Sequence, residues 1–140
     1  MGGFGLDPVP GMDETPSPSV VPARRARIVG LRLINGPKSG AVFCSALPIA
    51  VIGRNDPPAM SVDIDLTDAE LGVPPMISRK HARLERDIAS GDVYLTDLGS
   101  TNGSWVEGVR LESGQRSVVL TVPSRLRMAN LEFDTIYVDE

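Results

Sequence analysis

The sequence predicts an all-β domain: an antiparallel β-sandwich of about ten to eleven short strands, preceded by a disordered N-terminal tail. Three observations lead there. Apolar and polar residues alternate with period two in one short segment after another, and Gly, Pro, Asn and Asp separate those segments. No run of about ten residues or more carries the helical period. At 140 residues the chain has the length of one domain and can bury a core without metals or disulfides.

Residues 1–26 differ from the rest. They hold five prolines (Pro8, Pro10, Pro16, Pro18 and Pro22), four glycines and few large apolar groups, too little to offset the entropy of ordering, and are expected to form a flexible tail. The domain is expected to span residues 27–140. "RIVGLRLI" (27–34) alternates, "NGPKSG" turns, and "AVFCSAL" (41–47) and "IAVIGR" (49–54) follow as strands separated by Pro48. In "VDIDL" (62–66), Val62, Ile64 and Leu66 share one face. "TDAEL" (67–71) is long enough for a single helical turn. The remaining strands are expected in "KHARLER" (80–86), "DVYLTDL" (92–98), "SWVEG" (104–108), "QRSVVL" (115–120), "SRLRM" (124–128) and "LEFDTIYV" (131–138). In such a sandwich the loops gather at the ends, where a rigid scaffold can carry a binding site.

Composition narrows the function classes. With 18 acids against 14 cations the net charge is −4, so the broad basic surface of a nucleic-acid binder is not expected. One phosphate needs only two or three local donors, so the placement of cations matters more than their sum. Cys44 is the only cysteine; it reads as a small buried hydrophobe and suits a reducing, cytoplasmic setting. The best apolar run, "ALPIAVIG" (46–53), is far shorter than a membrane span, and the acidic start lacks the cations of a signal peptide, so no membrane insertion is expected. One His, one Cys and scattered carboxylates give no metal site, and no cofactor is expected.

Four polar pieces exceed what a plain sandwich requires: Gly53-Arg54 at a strand end, "SRKH" (78–81) at a strand start, "DLGSTNG" (97–103) and "WVEG" (105–108). The only histidine, His81, sits in the second. Two roles compete for it: catalytic base beside Ser78, with Asp97 as third member, or structural peg for a loop that grips an anion. "GSTNG" imitates a nucleophile elbow, but that elbow needs a strand-to-helix turn, and no helix is readable, so the protein is expected not to be an enzyme.

The order and spacing of these pieces resemble the forkhead-associated (FHA) domain, a phosphothreonine-binding β-sandwich, over about residues 27–138. The resemblance implies that Arg54 grips phosphate oxygens, Ser78 donates to them, and His81 bonds the loop from inside. It also implies that Thr101 and Asn102 form the second recognition loop, Asn102 holding the peptide backbone, with Gly103 permitting the following turn. Gly53 supports the site. Residue chemistry agrees: phosphothreonine carries roughly 1.5 to 2 negative charges and three acceptor oxygens, which suit a rigid guanidinium fork. Reading threonine over serine rests on one methyl, worth about 0.8 kcal/mol. Strand parity does not decide between Arg79 and Lys80 at the phosphate; Arg79 is taken as a secondary contact and Lys80 as a surface residue.

The resemblance implies a phosphothreonine-dependent protein–protein recognition module in Ser/Thr kinase signalling, with a phosphorylated protein or peptide as partner. The runner-up is an FHA-like sandwich that binds an unphosphorylated protein partner as a scaffold. The chain departs from the family pattern at Glu107-Gly108, where Asn-Gly is usual: the turn is expected to survive, but a contact to the peptide changes from an amide to a carboxylate, which argues against acidic peptide preferences near this position. The loop from Asn55 to Ile77, with Pro57, Pro58, Pro74 and Pro75, is expected to shape selectivity beyond the phosphothreonine. In the tail, Thr15 stands beside two acids and before proline. Once phosphorylated, it would be a regulatory site able to bind the domain's own loops and block other ligands.

Overall fold

The structure, a computed structural model, describes residues 27–58, 61–114 and 121–138. The expected tail, Thr15 and the strand expected at 115–120 lie outside the described residues. Ten strands are described: β1 (Ile28–Leu33), β2 (Val42–Cys44), β3 (Ile49–Gly53), β4 (Ile64–Asp65), β5 (Lys80–Arg86), β6 (Val93–Asp97), β7 (Ser104–Val106), β8 (Val109–Arg110), β9 (Arg125–Met128) and β10 (Leu131–Val138). One 3-10 turn, Thr67–Ala69, occupies the single helical turn read from the sequence.

The strands form two sheets. One has six strands in the order β2-β1-β10-β9-β7-β8, the other four in the order β4-β3-β5-β6. Every pair is antiparallel except β3 with β4, which run parallel, so antiparallel order holds for all but this short edge strand. Alternation puts Leu31 and Leu33 of β1, Ile52 of β3, Leu95 of β6, Leu126 and Met128 of β9, and Leu131 and Phe133 of β10 into one core between the sheets. Phe43 meets Phe133 edge to face, with ring centroids 6.5 Å apart, closing the core under β2; Cys44, expected to be buried, is exposed because alternation on this edge strand turns Phe43 inward and its neighbours outward.

Strand direction collects the polar pieces at one rim. β3 ends at Gly53 opposite Lys80, where the antiparallel β5 begins. β6 returns to end at Asp97, opposite Ala82, and the next turn leads into β7. Arg54, Ser78 and Thr101 therefore leave the sheets at the same end. Ile28 pairs with Val138, whereas Leu131 pairs with Met128, which in turn pairs with Ser104 beside that rim. The chain thus enters the domain at the far pole, the length of β10 away.

Candidate functional site

The first loop is set by backbone proximity. Between Ile52, paired with Ala82, and Gly53, paired with Lys80, the register slips by one residue, a β-bulge. Strict alternation from the sequence put His81 and Ala82 on opposite faces; the bulge buries both. A Cβ on Gly53 would lie 2.0 Å from the Arg79 carbonyl oxygen and 3.0 Å from that of Ser78, so only glycine lets the loop pass this close. Arg54 N–H then donates to Arg79 O at 3.2 Å, and its side-chain Nε donates to Ile77 O at 3.1 Å. Gly53→Ala is expected to push the loop off β3 and weaken binding of an anionic ligand at least tenfold, with a thermal midpoint lowered by several degrees. Isothermal titration beside a thermal melt reads both.

Carboxylates anchor each loop from behind. Glu70, at the end of the 3-10 turn, accepts the N–H groups of Met76 at 3.1 Å and Ile77 at 3.0 Å, while Ile77 is buried in the core. Asp97 organises the second loop. It accepts the amides of Gly99 and Ser100 at 3.0 and 3.1 Å and the hydroxyls of Ser100 and Ser104 at 2.5 and 2.7 Å. Burial alone would raise its pKa, but these bonds to the ionised form prevail and hold it below the ordinary carboxylate value.

His81 joins the loops. It is fully buried; its Nδ1 accepts the Ser78 N–H at 3.0 Å and its Nε2 lies 2.8 Å from Gly103 O. The carbonyl can only accept, so Nε2 carries the proton and the ring is the neutral Nε2–H tautomer. Burial lowers its pKa, opposed by the Gly103 bond and the charges of Asp97 and Glu70. Both ring nitrogens are thus committed to backbone groups, neither to the Ser78 hydroxyl. Asp97 bonds serines and amides instead of the ring, so Ser78, His81 and Asp97 do not form a nucleophilic relay. Two further contacts tie loop to loop: Thr101 N–H donates to Ser78 Oγ at 3.1 Å, and Asn102 Nδ2 donates to Met76 O at 2.8 Å.

Arg54, Ser78, Arg79, Lys80 and Thr101 line an open depression of about 480 Å³. Three cations converge there. Because Ser78 Oγ accepts from Thr101, the hydroxyl proton is left to donate outward. Arg79 is held by an ion pair to Asp56, 3.2 Å apart, with both side chains about half exposed. Among the five residues expected to bind the phosphopeptide, Arg54, Ser78, Thr101 and the secondary contact Arg79 line the depression, while Asn102 braces its edge through Met76. Gly53, His81 and Gly103 sit behind it, Gly103 at φ +90°.

Lys80, read from the sequence as a surface residue, lines the depression because the bulge turns β5 at that point. Glu70 and Asp97 as loop anchors, and Asp56 as the partner of Arg79, were not found by sequence reasoning. The one available signal was the Asp97-x-x-Ser100 spacing of a side-chain-to-backbone turn. Glu107 departs from expectation too. Its carboxylate accepts the Arg125 backbone N–H across the sheet, and the residue takes φ +49° in a turn with Gly108.

A two-sheet β-sandwich whose rim loops converge cationic and hydroxyl donors on an open depression defines an anion-recognition domain. The FHA domain profile matches residues 50–129, more than half of the chain, and the chain belongs to the FHA domain family. Among solved structures it is similar to the FHA domain of an Arabidopsis thaliana hypothetical protein, at 24% identity and TM-score 0.63 over 83% of this chain and 90% of that one. It is similar to the FHA domain of CT664 from Chlamydia trachomatis, at 26% identity and TM-score 0.60 over 80% and 99%. The N-terminal FHA domain of S. cerevisiae Rad53p, solved with a phosphothreonine peptide, matches at 19% identity and TM-score 0.60 over 80% and 94%. No curated protein sequence matches the chain. Among the described residues no helix is long and apolar enough to cross a membrane.

Proposed function

We propose that the rim binds phosphothreonine in a partner protein, making the chain a non-catalytic recognition module in cytoplasmic Ser/Thr kinase signalling. The observation that carries this reading is the convergence of Arg54, Ser78, Arg79, Lys80 and Thr101 on one depression. Membership of the FHA family and the likeness to a family member solved with a phosphothreonine peptide support it. In this reading Arg54 presents its guanidinium fork to two phosphate oxygens, and Ser78 Oγ and the cations beside it take the third. Asn102, whose Nδ2 is held by Met76 O, offers its carbonyl oxygen to an N–H of the bound peptide.

Phosphorylated Thr15 is a candidate ligand in the same chain. Residues 15 to 27 span about 40 Å when extended. The tail must return along the sandwich from the far pole, and the eight residues of β10 measure about 27 Å. The reach therefore suffices, with roughly a third of the extended length to spare for the path around the sandwich.

Titration with matched phosphorylated and plain threonine peptides from a library tests the reading. Binding of the phosphorylated set alone, and its loss when Thr15 of the full chain is phosphorylated, are the expected results. Equal binding of both sets would replace the phosphate reading with the unphosphorylated scaffold. Unchanged affinity after Thr15 phosphorylation would remove the tail from it.

A further inference from the structure

The outer face of the six-stranded sheet carries two cross-strand rows of opposite electrostatic character. In one, Asp134 sits between Arg32 at 3.2 Å and Arg125 at 3.0 Å, so its charges are largely neutralised within the row. In the other, Trp105 pairs with Arg110 on β8 and Arg127 on β9. The Arg127 guanidinium carbon lies 4.0 Å from the indole centroid and that of Arg110 lies 5.3 Å from it. Neither makes an ion pair among the described residues; Glu132, opposite Arg127 on β10, reaches Arg125 instead at 3.9 Å, and Arg127 Nε spends one proton on Ala129 O, at 2.8 Å.

This row touches the recognition loop. A Cβ on Gly103 would come within 2.8 Å of the Trp105 ring and 3.1 Å of Arg110 Nε, so ring and guanidinium lie directly under the residue after Asn102. A depression of about 480 Å³ continues from the back of that loop, lined by Ser100, Gly103 and Arg110 and also by the acids Asp97 and Glu112, which bound the row on that side. Stacking on an aromatic face orients a guanidinium while leaving its in-plane N–H groups to donate. The row is therefore a prepositioned pair of fork donors, continuous with the rim.

We propose that the Arg110–Trp105–Arg127 row is a second docking ledge, taking an acidic stretch of the same partner whose phosphothreonine occupies the rim. The inference rests on the phosphothreonine reading. Charge complementarity selects Asp and Glu side chains, and continuity with the Asn102 loop places them on the chain that the rim already holds. A nucleic acid would need a broader basic field than two guanidiniums on a protein of net charge −4. Glu107 keeps its negative charge while accepting the Arg125 N–H, so it limits how far an acidic stretch can extend toward the β7–β8 turn.

Trp105 is the only tryptophan, so its emission comes from the ledge, and the short peptide serves as the reference for changes passed on through the Gly103 loop. Full-length protein is titrated with a short phosphothreonine peptide and with the same peptide extended by four Asp or Glu residues on one side or the other. One extension is expected to tighten binding roughly five- to tenfold, the scale of two exposed ion pairs. It should also shift Trp105 emission and lose its advantage in high salt. Arg110→Gln with Arg127→Gln should erase the gain while leaving affinity for the short peptide unchanged. Equal affinity of short and extended peptides, or a gain that survives both substitutions, overturns the ledge. A single-stranded oligonucleotide that shifts Trp105 emission at equal concentration overturns the acidic-peptide assignment in favour of nucleic acid. Failure of the short phosphorylated peptide to bind, tested first, overturns the phosphothreonine reading and the ledge with it.

Discussion

Arg54→Ala is expected to abolish measurable phosphopeptide binding while the domain stays folded. Removing one partner of a hydrogen-bonded charge pair costs about 2–5 kcal/mol, a loss of roughly thirty-fold or more. Arg54 also has a structural duty, since its Nε bonds Ile77 O at 3.1 Å, so alanine alone conflates grip with scaffold. Arg54→Lys separates them. Lysine keeps the charge but presents one point donor in place of the fork. A loss of about tenfold in this variant, with an unchanged melt, would assign the remainder to bidentate geometry. The backbone N–H of residue 54 still reaches Arg79 O in both variants, so the loop keeps one of its ties to β3. Retained affinity in the alanine variant would contradict the role given to Arg54.

The second large effect concerns stability. His81→Ala would empty a fully buried site and leave the Ser78 N–H and the Gly103 carbonyl without the ring that bonds them. Unsatisfied groups cost about 1–3 kcal/mol each, with a cavity term added, so a loss of about 3 kcal/mol or more is expected. For a domain of this size each kcal/mol moves the thermal midpoint by about 4–8 °C. The sign with pH follows from the lowered pKa of His81. Below about pH 6.5 the unfolded chain gains an imidazole proton that the folded ring resists, because a protonated Nδ1 would face the Ser78 N–H donor. The stabilisation is complete above that pH and is lost as pH falls through the folded value. Denaturant melts at pH 7.5 and 5.5 should show this slope in the natural protein and a flatter one in His81→Gln. An equal slope in both would refute the assignment. Asp97 has a lowered pKa as well, and its contribution is lost only at more acidic pH, below the ordinary carboxylate value.

Much of this was legible in the sequence, because a period of two is a local signal and nine of the expected strands coincide with described ones. The rim residues were readable from residue type and order along the chain. What escaped reading depends on contacts far apart in sequence. No local pattern announces that Asp56 holds Arg79, or that Glu70 anchors the amides of Met76 and Ile77. The bulge between Ile52 and Gly53 escaped because alternation presumes an unbroken register; one extra residue brought Lys80 to the depression and buried His81 beside Ala82. The short β4 went unrecognised as a parallel partner for a simpler reason. Its two residues reveal a face but no direction.

The backbone contact at Gly53 reaches further than the pocket itself. The floor of the depression is main chain, clamped from behind by the carboxylates of Glu70 and Asp97 and by the buried imidazole of His81. Selectivity and grip are therefore separable: side chains of the lip other than Arg54 and Ser78 can be exchanged while the loops keep their course. Such a scaffold lends itself to engineering, as a stock from which reagents for different phosphosites could be drawn by randomising its outer lip alone.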